Sequence, residues 1–266
     1  MSTGTNIFSL EGKTALVTGA TGHLGSVIAR ILAEAGARVY INSRSASKVN
    51  KLLTEFHTAG LNAEPAVFDI TDEHQLSEFF RSKSDLALDI LINNAYGGGA
   101  GTVKTSKPTS YSYSYDISLV ATHNLLQHAL GGLRNAVKRR GDASVINIAS
   151  MYALVSPDLR NYESPEGSNP PFYGAAKAAL IQWTRYCACE FGMEGIRFNA
   201  LSPGPFPNDD VQREFPEFIE RLQAKVPLGR IGITDDIQGP ALFLASAASK
   251  YVNGANLVVD GGWTAW

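Results

Sequence analysis

The segment from Thr14 to Gly36 limits the fold of this chain more than any other. Thr14-Ala-Leu-Val-Thr18 is a short apolar, β-branched run, Gly19-Ala-Thr-Gly22-His-Leu-Gly25 follows at once, and Ser26 to Ala35 carries helical spacing up to Gly36. That order is strand, glycine turn, helix. Glycines let a backbone turn tightly and approach a diphosphate, whose charge is held by free N–H groups at the helix N-terminus. A glycine triplet alone is weak evidence, but a strand before it and a helix after it supply the required context. The next apolar run, Arg38 to Asn42, comes at the distance of a βαβ unit and ends in Ser43-Arg44.

The alternation continues along the chain. Spacing predicts a polar helix over 46–59, a strand over 63–68 ending at Asp69, a helix over 72–83 and an apolar strand over 88–92 with the polar end Asn93-Asn94-Ala95. After the glycine-rich loop 97–101, Tyr111-Ser-Tyr-Ser-Tyr115 alternates like a strand. It is read instead as the start of a long helix to about Arg140, because the strands of a parallel sheet need helical crossovers. A fifth strand over 144–150 ends on Ser150, at the carboxyl end of the sheet, where ligands of open parallel sheets bind. The stretch 156–171 holds four prolines and scattered charges and is a loop. A helix over 172–190, a strand over 196–201, a helical region over 209–226, a helix over 234–247 opened by an N-cap at Thr234-Asp235-Asp236, and a last strand over 256–259 complete the pattern. Strand, helix, strand, helix implies a parallel sheet covered on both faces. With no linker composition in 266 residues, one α/β domain over 1–266 is expected.

Composition excludes several functions. A formal net charge of −2 without a basic cluster argues against a nucleic-acid surface, and Lys138-Arg139-Arg140 reads as basic residues closing a helix before Gly141. No apolar run is long enough to span a bilayer and the polar start shows no signal pattern, so a soluble, cytoplasmic protein without a membrane partner is expected. Cys187 and Cys189, two apart on a helix, point in different directions, which disfavours a disulfide; both are expected to be buried, and no metal site is expected.

Chemistry is expected at Tyr173-Gly-Ala-Ala-Lys177, which sets a phenol and an ammonium four residues apart on one helix face. A fixed cation favours the phenolate and lowers the tyrosine pKa, so the pair suits general acid/base work. By itself the spacing is more often an aromatic edge beside a solvated charge.

The glycine turn, Asn93-Asn94-Ala95, Ser150, Tyr173 with Lys177, Ser202-Pro203-Gly204 and Asp260-Gly261-Gly262 stand in the order and spacing of the short-chain dehydrogenase/reductase family, which the chain resembles from about Leu10 to Trp263. The resemblance implies a doubly wound Rossmann fold with about seven parallel strands and a nicotinamide cofactor. It implies that Tyr173 exchanges a proton with the substrate oxygen, that Ser150 holds that oxygen, and that Lys177 binds the nicotinamide ribose and depresses the tyrosine pKa. Gly19, Thr21, Gly22, His23, Leu24 and Gly25 would border the pyrophosphate, Asp69 and Ile70 the adenine, Asn93 and Ala95 the ribose, and Pro203 and Gly204 the nicotinamide. It further implies a homo-oligomer, dimer or tetramer, packed through the long helices.

Three departures stand out. Gly22 precedes His23 where the short branch of the family places its middle glycine later, which is the spacing of the longer, nucleotide-sugar-modifying branch; length and the Asp260-Gly-Gly tail favour the short branch. Ser118 holds the position of the relay asparagine, so any relay to Lys177 would run through a serine and water. The Asn-Asn-Ala motif ends in Tyr96 where glycine is usual, and the 156–171 insert lengthens the path from Ser150 to Tyr173.

The expected function is interconversion of a secondary alcohol and a ketone, on a small molecule such as a sugar acid or modified sugar, with Asp158, Arg160, Tyr162 and Glu163 of the insert as candidate hydroxyl binders and 205–228 as a candidate substrate cover. A plain surface helix and a loop sealing a subunit contact are the competing readings of those two segments. NADP(H) is expected over NAD(H), because Ser43 replaces the acid that would hold the ribose 2′-hydroxyl and Arg44 follows it. A non-catalytic dinucleotide-binding protein, and an epimerase or dehydratase of the longer branch, are the alternatives.

Overall fold

The computed structural model describes residues 6–266. Seven strands form one sheet: β1 (Thr14–Val17), β2 (Arg38–Ser43), β3 (Ala63–Val67), β4 (Ile90–Asn93), β5 (Ala143–Ile148), β6 (Ile196–Pro203) and β7 (Asn256–Val259). All are parallel, in the order β3-β2-β1-β4-β5-β6-β7. The order reverses between β1 and β4, where an open sheet leaves a crevice at its carboxyl ends.

The crossovers are α1 (His23–Glu34), α2 (Ala46–Thr58), α3 (Glu73–Arg81), α4 (Pro108–Tyr115), α5 (Ala121–Arg140), α6 (Pro171–Phe191), α7 (Asp209–Glu214), α8 (Pro216–Lys225) and α9 (Gln238–Ala245). Successive strand residues feed opposite faces. Leu16 packs with Leu125, Leu133 and Phe191 under α5 and α6, while Ala15 and Val17 pack with Ile28, Leu32 and Leu244 under α1 and α9. The doubly wound sheet is therefore as expected.

The differences are local. The long helix begins at Pro108, not Tyr111, and a π-helical turn, Asp116–Val120, separates α4 from α5. Region 209–226 is two helices, broken at Phe215, whose backbone leaves the helical region (φ −129°, ψ 60°) before Pro216. The cap before α9 comes from Asp236, whose carboxylate accepts the Ile233 N–H at 2.9 Å, and not from Thr234. Cys187 is buried as expected, but Cys189 is exposed, because two positions on a helix turn the second thiol off the packed face. Arg139 and Arg140 do close α5 before Gly141, which takes φ 80° as a left-handed cap. Arg140 also meets the buried Asp89 carboxylate, Nη1 to Oδ1 3.2 Å, at the amino end of the sheet.

Candidate active site

The glycine turn folds as a tight elbow. Gly19 takes φ 60°, which L side chains avoid, and a Cβ on Gly25 would lie 2.2 Å from the Gly19 carbonyl oxygen. Asn94 braces the elbow from β4, its Nδ2 donating to the Thr18 and Gly19 carbonyls at 3.0 and 3.2 Å. The Thr18 hydroxyl accepts the Asn94 and Ala95 amides. The first turn of α1 has no side-chain cap and no acidic residue. Its amide ends therefore face the cleft uncompensated, which suits an anion.

Above the elbow runs a cleft of about 570 Å³. The candidate residues Gly19, Thr21, Gly22, His23, Leu24, Gly25, Ser43, Arg44, Asp69, Ile70, Ala95, Ser150, Tyr173, Lys177, Pro203 and Gly204 all line it. Two expected residues sit elsewhere. Asn93 is the last residue of β4 and is buried behind the cleft, where its Nδ2 donates to Asn147 Oδ1 at 2.7 Å; the neighbour Asn94 faces the cleft instead. Ser118 is buried in the π-helical turn, and its hydroxyl has no partner among the described residues.

Lys48, Tyr113, Ile117 and Phe206 line the cleft without having been singled out, as does Tyr96, noted in the sequence only as a departure from the motif. Lys48 had a readable signal, a second cation four residues after Arg44 at the start of α2. Arg44 itself is three-quarters exposed, with Nη1 3.6 Å from Asp69 Oδ2. Desolvation acts to raise the Asp69 pKa, but the Thr71 amide and hydroxyl, with Arg44, outweigh it and hold the carboxyl below its usual range.

The catalytic candidates converge on the other wall. The fifth strand stops at Ile148, not at Ser150 as expected, and Ser150 two residues on caps a short 3-10 turn, its Oγ accepting the Tyr152 N–H at 3.1 Å. Gly174 lets α6 approach that turn, since a Cβ there would sit 2.5 Å from the Tyr152 carbonyl oxygen. Burial pushes the Tyr173 phenol up, the Ser150 hydroxyl draws it back, and the Tyr96 phenol adds to the rise. Lys177 is 4% exposed, and burial pushes its ammonium down to about 8. Its Nζ donates to the Ile148 carbonyl at 2.7 Å and lies 5.9 Å from the Tyr173 ring centroid. The expected depression of the Tyr173 pKa by Lys177 is not what sets the phenol here: its pKa is raised, chiefly by burial, in the cofactor-free protein.

The insert is tied to α8 at several points, although residues 163–167 are exposed. Asp158 is held by Arg160 and Lys225, the Asn161 carbonyl accepts from Arg221 Nε at 2.7 Å, and the Tyr162 ring meets Phe218 at 5.2 Å. Of its four candidate hydroxyl binders, Asp158 pairs with Lys225 of α8, while Arg160 pairs with Asp158 inside the insert and keeps its side chain exposed. Tyr162 reaches the Tyr152 hydroxyl at 3.1 Å, and Glu163 lines a separate apolar hollow with Phe215 and Phe218. α8 is packed in turn, with Ile219 and Leu222 against Met151 and Trp263. The tail supports the opposite wall: a Cβ on Gly204 would lie 2.5 Å from Asp260 Cα, and Asp260 accepts the Gly262 and Thr264 amides. Among the described residues no group of His, Cys, Asp or Glu is placed to hold a metal ion, and no helix is long and apolar enough to cross a membrane.

Comparison with known proteins agrees with this architecture. A family model described as enoyl-(acyl carrier protein) reductase matches residues 19–264. The chain is 34% identical to gluconate 5-dehydrogenase of Gluconobacter oxydans, over 97% of both proteins. It is 33% identical to a rhamnolipids biosynthesis 3-oxoacyl-(acyl-carrier-protein) reductase of Pseudomonas aeruginosa, over 96% of this chain and 98% of that one. Gluconate 5-dehydrogenase from Burkholderia cenocepacia, solved in complex with NADP and tartrate, superposes with a TM-score of 0.86 at 32% identity, covering 98% of each chain. Matched at this length and identity, the chain belongs to the short-chain dehydrogenase/reductase family and is an oxidoreductase acting on CH–OH groups.

Proposed function

We propose that the protein interconverts a secondary alcohol and a ketone with NADP(H), using Tyr173 as the general acid/base. The observation that carries this is the convergence of Ser150, Tyr173 and Lys177 on one wall of the cleft whose floor is the glycine elbow. The elbow, the uncapped start of α1 and the Gly204 wall fit a dinucleotide, with Gly19 to Gly25 at its pyrophosphate and Pro203 and Gly204 at its nicotinamide end. When bound, the nicotinamide supplies or accepts the hydride.

The protein's own part is proton transfer and orientation. At neutral pH Tyr173, pushed up by burial, carries its proton, so the free protein presents the donor needed to reduce a ketone. Ser150 holds the substrate oxygen within reach of that phenol. Lys177, charged below about pH 8, opposes the negative charge that Tyr173 gains when it gives up its proton. The partnerless Ser118 hydroxyl is free to bind a water that returns protons toward Lys177.

Preference for NADP follows from the end of β2. Ser43 offers no carboxylate to repel a 2′-phosphate, and Arg44 and Lys48 both line the cleft beside it. The Burkholderia cenocepacia relative, whose structure contains NADP, supports the choice. The gluconate relatives make a hydroxylated acid the substrate class to test first. Assembly as a dimer or tetramer through α5 and α6 belongs to the same reading. The test is a panel of sugar acids, polyols and ketones with each cofactor, followed by the absorbance of the reduced nicotinamide. Turnover with NADPH that Tyr173→Phe abolishes is expected. Turnover that survives Tyr173→Phe, or that requires NADH, would overturn the corresponding half of the proposal.

A further inference from the structure

Tyr96 stands where the family motif usually has a glycine, and three contacts fix its ring. It meets the Tyr173 ring in a T-shaped arrangement, with centroids 4.9 Å apart and planes at 68°. The face meets Lys177, whose Nζ lies 5.2 Å from the Tyr96 centroid, nearer than to the Tyr173 ring. The hydroxyl bonds Ser114 Oγ at 3.0 Å, and Ser114 Oγ donates to the Phe172 carbonyl at 3.2 Å. The ring is thus tied, through α4, to the residue preceding Tyr173 on α6. The glycine loop closes over it, because a Cβ on Gly98 would lie 2.7 Å from the Tyr96 ring.

Lys177 needs such a neighbour. It is buried, its hydrogen bond within the chain goes to the Ile148 carbonyl, and among the described residues no carboxylate moves the pKa of either Lys177 or Tyr173. The titratable groups facing the pair are phenols: Tyr96 from the loop after β4, Tyr113 from α4 behind it, Tyr152 from the turn after β5 and Tyr162 of the insert bonded to Tyr152. An aromatic face can hold a desolvated cation, and a buried cation–π contact is strong enough to matter.

We propose that Tyr96 is a positioning residue for the Tyr173 and Lys177 pair, its ring face holding the Lys177 ammonium and its T-shaped contact fixing the Tyr173 ring. The proposal rests on the acid/base reading above and adds a residue outside the expected set. The ring favours the charged lysine, so draining its π-electrons should lower the Lys177 pKa. The pinned ammonium in turn stays where it can oppose charge developing on the phenol.

The test is titration of the Lys177 side-chain carbon resonance in the cofactor-free protein by NMR, where its midpoint near pH 8 separates it from exposed lysines. Tyr96→Phe keeps the ring and is expected to leave the midpoint within a few tenths of a unit. Pentafluorophenylalanine at position 96 keeps the shape but reverses the ring quadrupole, and is expected to lower the midpoint by roughly 0.5 to 1.5 units. Tyr96→Leu, if it folds, should shift it in the same direction. An unchanged or raised midpoint with pentafluorophenylalanine overturns the proposal. Turnover of Tyr173→Phe, measured alongside, separates the two failures: activity surviving there sinks the acid/base reading, whereas an inactive Tyr173→Phe with an unmoved midpoint sinks the role of Tyr96 alone.

Discussion

Lys177 gives its hydrogen bond to the Ile148 carbonyl, 2.7 Å away, and reaches Tyr173 only through space, with Nζ 5.9 Å from the ring centroid. The lysine is therefore a buried cation held by a carbonyl and aromatic faces. Its stability cost has a definite pH window.

The lysine pKa falls from 10.5 in an exposed chain to about 8 in the fold, because burial penalises the charge. Below pH 8 both folded and unfolded chains carry the proton and the folded protein bears the whole penalty. Between about 8 and 10.5 the folded protein releases its proton first, so stability from this group recovers as pH rises. Lys177→Met has no such penalty. The Tm of Lys177→Met minus that of wild type should be most positive below pH 8 and fall across the window. A difference that is flat with pH would show that the lysine is not desolvated as described.

In the proposed NADP preference Arg44 is the deciding residue, and two interactions would compete for it. Its pair with Asp69 is exposed and 3.6 Å long, worth ~0–1 kcal/mol. A charge-assisted bond to a 2′-phosphate contributes ~1.5–3 kcal/mol, so the phosphate wins. Arg44→Ala should weaken NADPH binding roughly 10- to 100-fold and leave NADH nearly unchanged. Lys48→Ala should follow in the same direction by less, since Lys48 presents a point charge and not a planar fork. Fluorescence titration of both cofactors checks this, and equal losses for NADPH and NADH would remove Arg44 from the phosphate.

Gly174→Ala sets two effects against each other. Alanine in a helix interior is favoured over glycine by ~1 kcal/mol, yet here the new methyl would stand 2.5 Å from the Tyr152 carbonyl oxygen, a backbone atom that cannot swing aside. Overpacking of this kind costs ~1–3 kcal/mol, so the variant should be less stable than wild type by ~0–2 kcal/mol in denaturant unfolding. It should also lose activity, because the turn it displaces carries Ser150. A stabilised, active Gly174→Ala would mean that α6 and the Ser150 turn can part freely.

Much of this was legible in the sequence for a physical reason. Strands buried on both faces read as apolar runs, and the punctuation at Gly36, Gly141 and Pro171 marks where helices must end or begin. The three catalytic candidates could be brought together because Ser150 follows a strand closely and Tyr173 and Lys177 share one helix face. What was not legible depends on single-residue register or on contacts between distant segments. Which of Asn93 and Asn94 faces the cleft turns on whether β4 stops one residue earlier. Tyr96 and Phe206 come from loops whose position only the packed molecule determines. The pairing of Asp158 in the insert with Lys225 of α8 joins segments far apart in the chain, so spacing along the sequence does not reveal it.

Ser118 tests the proton path. Its buried hydroxyl lacks a protein partner, so either it holds a water in the path or it is an unsatisfied group. If it holds a relay water, Ser118→Ala should lower kcat several-fold with a larger effect where proton transfer limits, and Ser118→Asn should be tolerated or faster. A kcat for Ser118→Ala equal to wild type at every pH would exclude Ser118 from the path.

The central claim is that the Tyr173 hydroxyl is the proton-exchanging group, and Tyr173→Phe removes that one atom while keeping the ring against Tyr96. With the best substrate from the panel, kcat should fall by ~10²–10⁴, the usual worth of general acid/base action. NADPH affinity, measured by fluorescence on the same preparation, should stay within about twofold, less than ~0.4 kcal/mol. A Tyr173→Phe enzyme that binds NADPH normally and keeps more than about a tenth of its kcat would contradict the assignment.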